Sequence, residues 1–158
     1  MASPAAKLML LGSIWYAIVC IQGPLQSLAW VQRVTHFNNW VIGHSHIAVL
    51  GFTGFIALAG MYYILPYVTG RRLYSERLAN SQYWLLLVGL IGFFIVLTAA
   101  GLIQGQNWNN GETVYRTLPL MKPYMVLRLG FGLFIILGAI IGLYNVIMTL
   151  LRGKPVDE

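Results

Sequence analysis

Four long apolar stretches divided by short polar ones organise this chain, running over about 7–31, 40–68, 82–106 and 122–151. Each is long enough for a bilayer-crossing helix, which needs roughly 20 mostly apolar residues. The polar breaks are Gln32-Arg33-Val34-Thr35-His36-Phe37-Asn38-Asn39, the turn-like Gly70-Arg71-Arg72-Leu73-Tyr74-Ser75-Glu76-Arg77 within 69–81, and 107–121. The pattern predicts an all-α, polytopic membrane protein with a single membrane domain over 1–158. Pro24 falls inside the first stretch, where a proline bends a helix. Trp30, Trp40, Tyr67, Tyr83, Trp84, Trp108 and Tyr124 lie near the expected span ends, where interfacial aromatics gather.

Composition agrees with this pattern. Of the 158 residues, 58% are hydrophobic and only 9% charged, against roughly 25% charged in soluble domains. A soluble domain of this length has too little interior to hide so much apolar surface. The first apolar run lacks the small-residue cleavage site of a signal peptide, so it reads as a retained span. The single cysteine, Cys20, excludes an internal disulfide and a cysteine metal cluster.

Charge adds orientation. The net charge of +6 is not read as nucleic-acid binding, because basic residues between spans set topology. A short basic loop stays on the cytoplasmic side, which places the loop 70–77 and both termini there. Lys7, Arg71, Arg72, Arg77, Arg152 and Lys154 then lie inside, and Arg33, Arg116, Lys122 and Arg128 outside. All the acidic residues, Glu76, Glu112, Asp157 and Glu158, fall outside the spans. A proton pump or cation transporter usually places a carboxylate within the membrane. This chain cannot by itself supply such a relay.

The chemistry rests on histidines. His44 and His46 fall just inside the outer end of the second stretch, and an ionisable residue there is a functional candidate by default. Positions i and i+2 on a regular helix are turned about 200° apart, so the two rings cannot grip one metal. They suit one helix serving two cofactors. Gly43, Ala48, Gly51 and Gly54 beside them leave room for a flat macrocycle, or else let helices pack closely. Gly101-Leu102-Ile103-Gln104-Gly105 and Gly138-Ala139-Ile140-Ile141-Gly142 read as packing patterns of that kind. A low-spin heme needs two axial ligands, commonly histidine. His36, about 12 Å from His44 if helical, cannot provide the second. A partner chain or a second copy has to complete the site. Each imidazole's other nitrogen needs an acceptor, such as a carbonyl one turn earlier or a small side chain.

The run from Val34 through Thr35-His36-Phe37 to Gly43-His44-Ser45-His46 resembles the tenth transmembrane helix of heme-copper oxidase subunit I, in its C-type branch, the cbb-type cytochrome c oxidases. Trp15-Tyr16, Cys20-Ile21-Gln22-Gly23, Arg72-Leu73-Tyr74-Ser75, Gly101 to Gly105, Arg128 and Tyr144-Asn145-Val146 extend the likeness over essentially the whole chain, which would correspond to helices nine to twelve of a twelve-helix bundle. The resemblance implies that His44 is the proximal ligand of the high-spin heme and His46 one ligand of the low-spin heme. It implies that His36 and Gln32 lie near the high-spin heme propionates. Cbb-type enzymes tend to have Asn where this chain has Gln32. Arg128 suits either a propionate or the membrane interface, with its charge snorkelling out.

The same resemblance implies two hemes b shared with another chain, and copper held by that chain. The expected partners are a polypeptide carrying the first eight or so helices and c-type cytochrome subunits, in a bacterial inner membrane. The opening Met1-Ala2-Ser3-Pro4 leads to the expectation of a naturally split subunit I. Two rival readings remain at this point. One is a nitric oxide reductase relative, which shares the His-x-His helix. The other is a non-catalytic membrane cytochrome b or assembly module. The loop 107–121 either contacts an electron donor or is plainly solvated.

Overall fold

A computed structural model describes residues 3–155, and these form an all-α bundle with four helices long and apolar enough to cross a membrane. Helix α1 (Pro4–Ser27) starts where the Ser3 hydroxyl accepts the Ala6 N–H at 3.3 Å, with Pro4 at its first position, where a missing N–H costs nothing. The expected first span is two helices. Pro24 cannot donate to the carbonyl one turn before it, Ser27 turns its hydroxyl onto the Pro24 carbonyl at 2.6 Å, and Leu28 is extended. The short α2 (Ala29–Thr35) follows.

The second span is one rod of three parts: α3 (Asn39–His46), a π-helical segment (Ile47–Gly54) and α4 (Phe55–Thr69). Gly70 ends it in the left-handed region at φ 62°, which a residue with a side chain rarely adopts. Helix α5 (Glu76–Asn109) is capped by the Ser75 hydroxyl, and α6 (Val114–Arg152) runs back beside it. The connector expected over 107–121 is mostly helical. Polar residues extend both helices past their apolar stretches, and Gly111 at φ 87° makes the reversal.

Helix α5 is the hub. It packs along α6 and also against α1, α2, α3 and the π segment, while α1 covers α4 and the π segment. Leu8, Trp15, Ile47, Phe55, Leu86 and Leu90 form the core between them. The repeated small residues are seats for neighbours, as their spacing suggests. A Cβ on Gly138 would press on Leu86, and one on Gly142 would overlap the Gln82 amide.

The end where α4 gives way to α5, the arginine end, is closed by buried polar groups. Tyr62 donates to Gln82 at 2.5 Å. Asn145 accepts from the Ser75 N–H at 3.1 Å and donates to the Ser75 carbonyl at 3.0 Å. Thr149 accepts from the Tyr74 N–H at 3.0 Å and donates to the Asn145 carbonyl at 2.7 Å. Gln82, Asn145 and Thr149 are almost wholly buried. Away from water each such group needs a partner, and these form a clamp joining α4, α5 and α6.

Candidate functional site

At the opposite end of the bundle, local sequence fixes where the histidine helix begins. Helix α2 stops at Thr35, His36 is extended, and Phe37 takes a positive φ of 58°, unusual for a large side chain. Asn38 holds this corner. Its carbonyl oxygen accepts the Trp40 N–H at 2.9 Å and its amide donates to the Val34 carbonyl at 2.5 Å. Gln104, buried on α5, accepts from the Asn39 backbone at 3.3 Å and side chain at 2.8 Å. Gly101 and Gly105 on either side let the Trp40 and Val34 backbones approach, and a Cβ at either would overlap backbone atoms. The stretch read as a packing pattern is thus the seat of α3.

From that seat the two imidazoles diverge. His44 reaches α1, where its Nδ1 hydrogen-bonds the Gln22 side-chain oxygen at 3.1 Å, and its ring stacks within 6° of parallel on Trp40, with centroids 5.6 Å apart. His46 turns toward α5. Its Nδ1 donates to the Ile42 carbonyl at 2.7 Å, and its ring lies 4.7 Å from that of Phe93. Both rings are half-buried, and neither Nε2 has a hydrogen bond among the described residues. Of the two kinds of acceptor expected, the carbonyl one turn earlier serves His46. His44 uses a side chain from another helix.

The helix widens directly below. Ile47 N–H is shared between the Gly43 and His44 carbonyls, and the π segment runs to Gly54. Such wide turns are rare and gather at functional sites.

Here one open alternative is decided and one expectation is corrected. Gly43 and Gly51 do not leave room for a macrocycle. A Cβ on Gly43 would press on Leu97 and one on Gly51 on Trp15 and Leu90, so both are filled by helix packing; Gly54 alone of the three has only its own helix nearby. Trp40 is no interfacial anchor. It is buried between Gly101 and His44, whereas Trp30 and Tyr67 are exposed.

The remaining candidates fall into two groups. Arg128 sits on the His46 side, its guanidinium 5.5 Å above the Phe93 ring and 3.8 Å from the Met125 sulfur. It lines a cleft of about 340 Å³ with Phe93, Met125, Leu129 and Gly132. His36 and Gln32 pair with each other at 2.8 Å on an exposed edge, His36 against Phe37. Gln22, Phe93 and Gln104 were not singled out as site residues from sequence. The two amides carried a signal, as polar side chains inside otherwise apolar runs.

The donors fit heme iron. A carbonyl only accepts, so the Nδ1 of His46 keeps its proton and a neutral ring presents a lone pair on Nε2. The Gln22 oxygen does the same for His44. Second anchors of this kind are what fix ligating histidines in orientation.

Residues 1–134 match the family described as cytochrome c and quinol oxidase polypeptide I. A cytochrome c oxidase subunit 1 homolog from Agrobacterium tumefaciens is 35% identical over 156 residues, covering 94% of this chain and 29% of the relative. A bacteroid homolog from Bradyrhizobium diazoefficiens is 27% identical over 159 residues, covering 96% and 29%. A cbb3-type cytochrome c oxidase subunit from Stutzerimonas stutzeri is 25% identical over 164 residues, covering 99% and 35%. The chain spans about a third of the length of these relatives. A family match over most of the chain, four membrane-length helices and two diverging histidines together establish that the chain belongs to the subunit I family of heme-copper oxidases.

Proposed function

We propose that the chain supplies the proximal ligand of the high-spin heme, His44, and one axial ligand of the low-spin heme, His46, in a terminal respiratory oxidase that passes electrons from a c-type cytochrome to oxygen. The observation that carries this reading is the divergence of the two imidazoles, each with its own Nδ1 anchor, from one helix. Bound hemes would supply one-electron transfer and, on the His44 side, the reduction of oxygen.

The chain's own residues then have definable tasks. Gln22 and the Ile42 carbonyl hold the two rings in the tautomer that leaves Nε2 for iron. Trp40, parallel to the His44 ring, limits its rotation. The single residue between the histidines keeps the two sites at a fixed separation. Arg128 is available for a charge-assisted bond to a propionate on the His46 side. His36 and Gln32, at the exposed edge, are assigned to the propionates of the high-spin heme. The second low-spin ligand and the copper ligands belong to the part of subunit I outside these four spans, and c-type cytochrome subunits accompany it. The loop 70–77 and both termini face the cytoplasm, and the protein resides in the inner membrane.

The test is spectroscopic, in the assembled oxidase. His46→Ala removes the low-spin heme signal and spares carbon monoxide binding, and His44→Ala does the reverse. Loss of the same band in both variants would overturn the two-heme assignment. The chain purified alone should neither bind carbon monoxide nor consume oxygen.

A further inference from the structure

His44 and His46 are each held at Nδ1, but by different means. The His44 anchor, Gln22, belongs to another helix, and Trp40 lies within 6° of parallel to the ring. The His46 anchor is the Ile42 carbonyl, one turn earlier on the same helix, at 2.7 Å. A hydrogen bond of that kind fixes the tautomer and one edge of the ring. It leaves the ring plane soft, because the outer torsion of a histidine side chain has broad wells. A flat neighbour against the ring removes that freedom. For His44 the neighbour is Trp40. For His46 it comes from across the bundle: Phe93 on α5, whose ring centre lies 4.7 Å from that of the imidazole with 39° between the planes.

Phe93 is itself held in place. It is buried, and at Gly92 beside it a Cβ would overlap the Phe131 ring, so α5 and α6 meet closely at this level. Arg128 on α6 sets its guanidinium 5.5 Å over the Phe93 ring centre. A cation favours that position because the face of an aromatic ring is its negative side. Packing of α5 on α6 thus fixes one flat ring, and that ring bears on His46. We infer that Phe93 is a positioning residue that sets the plane of the His46 imidazole. The plane matters because it governs how the ring's π orbitals overlap the d orbitals of a ligated iron, and contacts behind a ligand tune the metal it holds. This inference rests on the reading of His46 as a low-spin heme ligand.

The test is electron paramagnetic resonance of the ferric low-spin heme in the assembled oxidase, since its largest g value follows the orientation of the axial imidazole planes. Phe93→Met fills much of the same space without a flat ring. It should shift the largest g value and broaden the signal, with the low-spin heme retained. Phe93→Tyr keeps the ring and should reproduce the parent signal. Phe94→Met, next along α5 but set against Trp15, should leave the signal unchanged. Loss of the low-spin heme in Phe93→Met but not in Phe94→Met would also support the role, as failure to present the ligand. An unshifted signal in Phe93→Met, an equal shift or equal heme loss in Phe94→Met, or a shift in Phe93→Tyr as large as in Phe93→Met would each overturn it. His46→Ala separates the two levels. If that variant keeps its low-spin heme, the ligand assignment itself fails; if it loses the heme while Phe93→Met is unshifted, only the positioning role fails.

Discussion

At the arginine end, Gln82, Asn145 and Thr149 are buried and their partners lie within the chain. At the histidine end, His44 and His46 are half-buried, and among the described residues each uses one nitrogen within the chain and leaves the other unbonded. Both ends place polar side chains among apolar helices. In the first case hydrogen bonds close on themselves, and the cost of removing each group from water is offset. In the second, a strong donor atom is oriented and then left open. Inside a membrane bundle, a satisfied polar group joins helices, whereas an oriented imidazole nitrogen without a partner offers its lone pair to a ligand.

The sharpest way to break that contrast is to remove the open nitrogens. His44→Ala or His46→Ala should eliminate one heme signal entirely while leaving the bundle folded, which absorbance and circular dichroism of the assembled oxidase would separate.

The seat of the histidine helix comes next. Gly105→Ala puts a methyl onto the Val34 carbonyl. Overpacking against backbone costs about 3 kcal/mol, and heme content should fall with stability. At the closed end, Asn145→Leu strips both Ser75 backbone partners. Leaving such groups unpaired costs about 2 kcal/mol, read from unfolding in denaturing detergent. Heme spectra of whatever remains folded should be unaltered, and a shift in them would show that the two ends are not independent.

Gln22→Leu removes only the His44 anchor. Loss of a second-layer partner of this kind costs about tenfold in ligand affinity, or ~1.4 kcal/mol, seen as weakened retention of the high-spin heme alone. The smallest effect, and of opposite sign, is expected for Gly60→Ala. Nothing lies within 4 Å of a Cβ there, and replacing a mid-helix glycine by alanine gains about 0.5 kcal/mol or slightly more.

Much of the site was legible along the chain because its geometry is local. The i, i+2 spacing of His44 and His46 on a helix sets their divergence without reference to anything else. The pairing of Gln32 with His36, one turn apart, is legible for the same reason. The anchors were not legible. Gln22 meets His44 only because α1 packs beside the π segment, and Phe93 joins His46 to Arg128 only because α5 crosses α3 there. Gly43 and Gly51 illustrate the limit well. A glycine shows that something approaches closely, and only packing shows that it is Leu97 and Trp15.

By itself, then, the sequence determined four membrane-length apolar helices and a pair of histidines that cannot share one metal, since both follow from segment length and helical period. The tertiary structure alone decided which polar groups are closed and which are left open. A hydrogen-bond partner on another helix is a matter of crossing point and register, and neither is written in the spacing of residues along one strand of chain. The division of the first span at Leu28 and the widened turn after His46 belong with these, because each depends on how backbone bonds are exchanged once the helices meet.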